Sequence, residues 1–391
     1  MPAHRDVRQA STPHLGMPAE PKPFLVAAVT GRALAASAVR GGHRVVVLDC
    51  FADRDTRTFA QACRSVVAPR RLALDSHALL AQAGALAPPA RCAGLVYGSG
   101  FEGRTRLLSR LAAGRHLFGN PPTVVAAVKD PDRIFPTFDR VGIGHPQVRL
   151  HPPRALKGWL VKEPGSAGGS RVRMAAPGPV PRRAYFQRFE AGRRLSALFL
   201  ADGRRACVLG FNEQWTASVR PGLPFLYGGA VGGVSLPSAA RDDIRARLDA
   251  LVKLTGLVGL NGLDLLLRGE TWAALEVNPR PTATMDLYDP DYPEGLFDWH
   301  LRACQGELPL RAARPRASRA HGVVYAPAFG RVRESFSPPE WCRDVPHAGT
   351  VLAAGAPLCT VHAAAADTER ALALLRRRCD LIQRTIAEAT A

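Results

Sequence analysis

The chain has 391 residues, 47% of them apolar and 7% aromatic, with 36 Gly and 33 Pro. That balance describes a turn-rich globular protein of two to four packed subdomains and excludes a disordered one. The formal net charge of +19 invites a polyanion-binding reading, but Arg is spread over almost every segment with no aromatic-basic stacking platform, which argues against a nucleic-acid interface.

Residues 1–22, polar and Pro-interrupted, read as a flexible tail without the apolar core of a secretory signal. "FLVAAV" at 24–29, a Thr-Gly turn, a helix of small residues and "RVVVLD" at 44–49 alternate strand, helix and strand, which predicts an α/β domain over 24–118. A further strand, "AGLVYGSG" at 93–100, ends in Gly-Ser-Gly, where such sheets carry ligand loops. Asp49 ends the second strand, yet the first turn "AVTGRALA" has one glycine rather than three, so the dinucleotide fingerprint is missing.

From 119 to 183 the texture changes to short helices broken by Pro and Gly, then strand "GWLVKEP" (158–164), loop "GSAGGS" (165–170) and strand "RVRMA" (171–175). Residues 184–312 predict a second subdomain: an antiparallel meander over 184–219, a helix over 238–255 and the hairpin "LNGLDLLLRGETWAALEVN". The last stretch, 320–391, predicts a small module of short strands around "VPHAGTVLAAGAPLCTV" and an amphipathic helix over 367–389. No run of about eighteen apolar residues occurs, so a soluble cytoplasmic protein with no membrane partner is expected. The eight Cys (50, 63, 92, 207, 304, 342, 359, 379) contain no C-x-x-C pair and read as small core residues.

The hairpin carries the chemistry. With its turn centred near Gly269, Asp264 falls opposite Leu275 or Glu276, while Glu276 and Asn278 share a face. Carboxylate and amide oxygens are the donors Mg²⁺ prefers, and that ion keeps room for waters and substrate phosphates. Pro279 stops the ladder and turns the chain so that Arg280 can stabilise charge on a transferring phosphoryl group. Lys162 stands on a strand before the glycine loop, where its ammonium and the backbone N–H groups of Gly168, Gly169 and Ser170 can cover phosphates, although the Walker pattern is absent. Only five of the 52 basic residues are Lys (22, 129, 157, 162, 253). In a chain that uses Arg so freely, a retained Lys reads as a compact point charge. Glu102 reads either as an amine-binding acid or as a helix cap, and Tyr227 in "LYGGAVGG" as a mobile loop or a surface turn.

These pieces in this order resemble the ATP-grasp superfamily over residues 24–312, and "LDLLL…LEVNPRP" is the most specific part. More narrowly, "YGSGFEG", "GNPP", "KDP", "GLNGLDLLL" and "EVNPRPTATMDLYD" are similar to predicted ATP-dependent carboligases related to biotin carboxylase, some of which accompany tetrahydromethanopterin-linked one-carbon metabolism. The resemblance implies an ATP-grasp fold with an N-terminal α/β domain, a lid (119–183), a core (184–312) and a small C-terminal β-rich module with its helix. It implies ATP between two antiparallel sheets, Lys129 and Lys162 on its phosphates, and the hinge Gln187, Arg188, Phe189 and Glu190 at the adenine. Asp264, Glu276 and Asn278 would hold one or two Mg²⁺, with Mn²⁺ an alternative, and Arg280 and Lys162 would be catalytic. At the family's ribose-binding acid this chain has Gly192-Arg193-Arg194-Leu195-Ser196, with Glu190 as the substitute.

The implied reaction activates a substrate carboxylate as an acyl phosphate, which an amine then attacks, and the Arg excess suits anionic small molecules, among them precursors of a one-carbon carrier. A homodimer is the implied assembly. The C-terminal strands are similar to half a biotinyl barrel, but no Lys follows Lys253, so covalent biotin is excluded. The rival readings are an ATP-binding regulatory protein without turnover and a polyanion-binding basic protein.

Overall fold

Continuous runs of β-branched and leucine residues make strands that are buried on both faces, the signature of a parallel sheet between helices. The computed structural model describes residues 21–68, 72–165, 167–219 and 223–389, so residues 1–20 of the predicted tail lie outside it. β1 (Phe24–Ala27), β2 (Val45–Asp49), β3 (Ala62–Ser65), β4 (Gly94–Tyr97) and β5 (Leu117–Phe118) form a parallel sheet in the order β3-β2-β1-β4-β5. Four helices belong to this unit: α1 (Arg32–Arg40), α2 (Arg54–Phe59), α3 (Ser76–Leu86) and α4 (Thr105–Ala112). Val26 and Val47 pack with Leu34 of α1 on one face, and Leu25 and Leu48 with Leu79 and Leu108 on the other. Strand order reverses between β1 and β4, so the loops at their C-terminal ends flank a crevice. Asp49 spends its carboxylate on the N–H groups of Gly31, Phe51 and Ala52 at 3.0, 3.0 and 2.6 Å, which makes it a loop clamp.

Next come α5 (Pro122–Lys129) and α6 (Pro131–Arg140), then β6 (Val148–Arg149), β7 (Trp159–Lys162), β8 (Val172–Met174) and β9 (Tyr185–Arg188). These four strands form an antiparallel sheet in the order β6-β9-β7-β8. β9 was expected to open the core meander; it belongs to the lid instead, because Gln187 pairs with Val148 on one side and Leu160 on the other. The lid sheet therefore ends at Arg188 rather than at 183.

The large sheet contains β10 (Arg193–Asp202), β11 (Ala206–Thr216), β12 (Tyr227–Gly232), β13 (Val258–Arg268) and β14 (Thr271–Asn278). Alternation along β10 sends Ala197 and Phe199 against α7 (Ser238–Thr255), and Leu198 and Leu200 against α8 (Gly295–Cys304). The C-terminal strands follow: β15 (Ser318–Tyr325), β16 (Gly330–Arg331), β17 (Cys342–Arg343), β18 (Val351–Leu352) and β19 (Pro357–Ala365). Instead of forming a separate module, β15, β19 and β17 extend the core sheet to the order β14-β13-β10-β11-β12-β15-β19-β17, and only β16 and β18 pair apart. The amphipathic α9 (Thr368–Ala389) covers this extension with Ala371, Leu375 and Ile382. All eight cysteines are free. Among the described residues no helix is long and apolar enough to cross a membrane.

Candidate active site

In β13, Leu263 and Leu265 pack into the core under α7, so by the period of two Asp264 faces the other way. Its cross-strand neighbours are Ser196 on β10 and Glu276 on β14, and Ser196 pairs in turn with Asn212 on β11. Four polar residues thus form one row across four strands. A β-bulge sets the row. From Arg268↔Thr271 to Leu265↔Ala274 the pairing is regular, and it would then put Asp264 opposite Leu275; the register slips by one there, and Glu276 takes the place. Bulges re-aim side chains next to active sites. The two alternatives left by the sequence are resolved in favour of Glu276.

Around this carboxylate the two lysines meet. Lys129, the last residue of α5, donates to Glu276 Oε1 and to the Val277 carbonyl, both at 3.0 Å, and reaches Asn278 Oδ1 at 3.5 Å. Lys162, at the end of β7, lies 3.8 Å from Glu276 Oε2, donates to Gln187 Oε1 at 3.2 Å and sits over the Tyr185 ring. Both ammonium groups are buried. Desolvation alone would raise the Glu276 pKa, but the charges of Lys129 and Lys162 hold it below the usual carboxylate range. Asp264 goes the other way: burial, then the adjacent Glu276 charge, push it up to about 6. Lys162 is likewise desolvated, yet Tyr185 and Glu276 keep its pKa above normal. Asn278 Nδ2 donates to Asp264 Oδ2 at 2.9 Å.

Among the described residues no three His, Cys, Asp or Glu side chains converge as a metal site. The donor set here is instead two carboxylates and an amide. All three are hard oxygen donors, and they leave coordination positions for water and phosphate, which fits Mg²⁺. The raised Asp264 carboxyl beside Glu276 is negative charge that a divalent cation would relieve.

Arg280 is placed by the turn that Pro279 begins, its N–H donating to the Asn278 carbonyl at 2.8 Å and its Nη1 to the Pro281 carbonyl at 3.0 Å. Its Nε binds Glu102, whose second oxygen accepts Gly100 N–H at 2.8 Å. Glu102 is 4% exposed; burial would raise its pKa, but Arg280 and then Lys129 lower it. It neither caps α4 nor stands free for an amine. Asn120 supports the turn from below: its Nδ2 donates to the Pro279 carbonyl at 3.0 Å and to Asn261 Oδ1 at 2.8 Å, and the Tyr97 hydroxyl donates to the Asn120 carbonyl at 2.7 Å. Residue-level reasoning gave no role to Asn120 or Tyr97, although "GNPP" and "YGSGFEG" marked their segments. Gln214, whose Nε2 lies 3.4 Å from Asp264 Oδ1 and 2.7 Å from Ser196 Oγ, carried no local signal.

The glycine loop bridges the lid to both neighbouring bodies. Gly165 packs directly on Gly103 of the β4 loop and Gly169 on the Phe225 carbonyl, and Gly168 accepts Tyr227 N–H at 3.0 Å. Gly165, Gly168 and Gly169 have φ of 73°, 65° and 71°, the left-handed region that favours glycine. Ser170 Oγ turns back to the Ala167 carbonyl at 3.1 Å. A small cleft beneath the loop is lined by Lys129, Phe135, Glu163, Tyr185, Leu275 and Glu276.

At the hinge, Gln187 is buried between Lys162 and the bulged Leu275 carbonyl, 3.5 Å from its Nε2. Arg188 turns outward over Trp159 and donates to the Lys157 carbonyl at 3.1 Å. Phe189 is exposed, and the Glu190 side chain is engaged by Arg268. Tyr227 is neither surface turn nor free loop: it begins β12, and its hydroxyl meets His321 Nε2 at 2.6 Å.

Two antiparallel sheets flanking a cleft, behind an N-terminal parallel α/β domain, make up the ATP-grasp fold. Residues 135–284 match the family model of the ATP-grasp domain. Solved structures agree. Biotin carboxylase from Campylobacter jejuni in a β,γ-ATP complex is similar with a TM-score of 0.71 at 12% identity, over 91% of this chain and 90% of that one. N5-carboxyaminoimidazole synthase from Aspergillus clavatus, with ADP and 5-aminoimidazole ribonucleotide, gives 0.67 at 13% identity over 93% and 99%. L-amino acid ligase from Bacillus licheniformis gives 0.65 at 14% identity over 92% and 98%. A sequence comparison with curated proteins finds no match.

Proposed function

We propose that this protein is an ATP- and Mg²⁺-dependent ligase that activates a substrate carboxylate as an acyl phosphate for attack by an amine. The observation that carries the reading is the convergence on Glu276 of Lys129, from the end of α5, and Lys162, from the lid sheet, at 3.0 and 3.8 Å. Asp264, Glu276 and Asn278 would hold the metal, which supplies charge neutralisation and orientation of the phosphates. Lys129 and Lys162 bind phosphate oxygens, and the glycine loop excludes water from above. Arg280, braced through Nε by Glu102 and through Nη1 by the Pro281 carbonyl, would offer Nη2 to the carboxylate and to charge developing during transfer. Positioning and electrostatics carry such a reaction.

The similar structures with ATP or with ADP and an amine-bearing nucleotide support the same class. An anionic carboxylate, including precursors of a one-carbon carrier, suits Arg280 and the Arg-rich surface. The test is ADP release with pooled carboxylates and amines in wild type and Glu276→Ala. Acceptor-dependent ADP in the first and none in the second is expected; equal turnover in both removes the metal assignment.

A further inference from the structure

Across the cleft from the lysines, at the switch point of the parallel sheet, lies a polar cluster that phosphate chemistry does not use. Arg32, after β1, sends Nε to Asp344 Oδ1 at 3.2 Å and Asp55 Oδ2 at 3.9 Å, while its terminal nitrogens bind both oxygens of Asp286. One guanidinium therefore faces three carboxylates, a local excess of negative charge in a strongly basic chain. These carboxylates keep 20%, 19% and 14% side-chain exposure for Asp344, Asp55 and Asp286, so a small solute can reach them. The segments are locked together, because Asp55 accepts the N–H groups of Asp344 and Val345 at 2.9 and 3.1 Å.

A separate observation points to a ligand. His321 is 2% exposed and its Nδ1 has no hydrogen-bond partner, although Nε2 is met by Tyr227. The charges it feels are those of Asp286, Arg32 and Asp344, and burial first of all keeps it neutral, with its pKa at about 4. The His321 ring lies 5.7 Å from that of His362, whose Nε2 is 3.8 Å from Asp286 Oδ2, so the unsatisfied imidazole stands one ring away from the acidic cluster. Behind the cluster, Asp53 is 4% exposed and opens α2 without capping it. Anions are refused by the carboxylates. An ammonium, which brings three donors and one positive charge, satisfies both the acids and an imidazole acceptor.

We infer that Asp55, Asp286, Asp344 and His321 form the subsite of the amine nucleophile, which arrives as a cation; this rests on the ligase reading above. The ammonium gives one proton to water before attack. Its lone pair then forms the C–N bond to the acyl carbon, the C–O bond to phosphate breaks with its electron pair going to phosphate, and the second proton leaves with that phosphate.

Two measurements separate this inference from the ligase reading. The first is calorimetric titration of the nucleotide-free protein with 1,4-diaminobutane at low salt, in wild type, Asp344→Asn and Asp55→Asn. Asn tolerates the φ of 53° at position 344. Binding weakened about tenfold or more in either folded variant is expected. The second traps acyl phosphate from ATP and pooled carboxylates with hydroxylamine, then compares 1,4-diaminobutane with glutamate as acceptor. A preference for glutamate, or diaminobutane binding that neither variant weakens, overturns the subsite even where hydroxamate forms. Weakened binding without hydroxamate from any carboxylate keeps the cation site and removes the ligase reading.

Discussion

Replacing Glu276 by Gln asks whether the two buried lysines stand in the cleft because that carboxylate holds them. At the observed separations of 3.0 and 3.8 Å the bare attractions are about 5 and about 4 kcal/mol at an effective dielectric of about 20. Desolvation offsets much of this, and removing one partner of a buried pair typically costs about 3–5 kcal/mol, because a charge is left uncompensated. Gln keeps the volume and one acceptor, so the metal-free variant should lose about 3 kcal/mol in urea unfolding followed by tryptophan fluorescence. Adding Lys129→Met should recover most of the loss, since the penalty is a stranded ammonium rather than a missing contact. ADP release should fall by about a thousandfold. A Glu276→Gln midpoint equal to wild type, or a double variant weaker than the single one, would refute the reasoning and leave the Val277 carbonyl and Gln187 as sufficient holders of the lysines.

Three further outcomes follow from the same geometry. Asp264 is raised from 3.8 to about 6, so the stability its protonated form contributes is fully present below the ordinary value and lost as pH rises through the folded one. The metal-free protein should therefore weaken across that window, and Mg²⁺ should raise the melting temperature more above it than below. Glu102→Gln removes the counter-charge of Arg280, and kcat should fall about tenfold or more with a smaller change in the KM for ATP. Gly165→Ala puts a Cβ into Gly103 at a left-handed φ, costing about 1–2 kcal/mol in the closed lid alone; the KM for ATP should rise severalfold while the urea midpoint holds, and an unchanged KM would show that closure does not need that contact.

The register of the β13–β14 hairpin was legible because a turn at Gly269 and a period of two leave few alternatives, and each keeps Glu276 and Asn278 on one face. The bulge was not legible: Ala274 and Leu275 are both apolar, so hydrophobic pattern does not say which one drops out of the pairing. The C-terminal strands were visible as strands, but their partner was not. β19 pairs with β15 across Ala326–Ala356, a segment in which β16 and β18 pair with each other around β17, and alternation alone specifies a face and not a neighbour.

Charge misleads in an instructive way. The net +19 spoke for anionic substrates, and Arg280 still suits a carboxylate. Yet screening confines exposed charges to about 8–10 Å, so a cleft responds to the few groups that line it rather than to the sum. Asp55, Asp286 and Asp344 come from three distant segments, and folding alone brings them to one guanidinium. A basic protein can therefore hold an acidic cluster, and the two ends of one cleft can present opposite charges, which is what the proposed joining of a carboxylate to an amine would use.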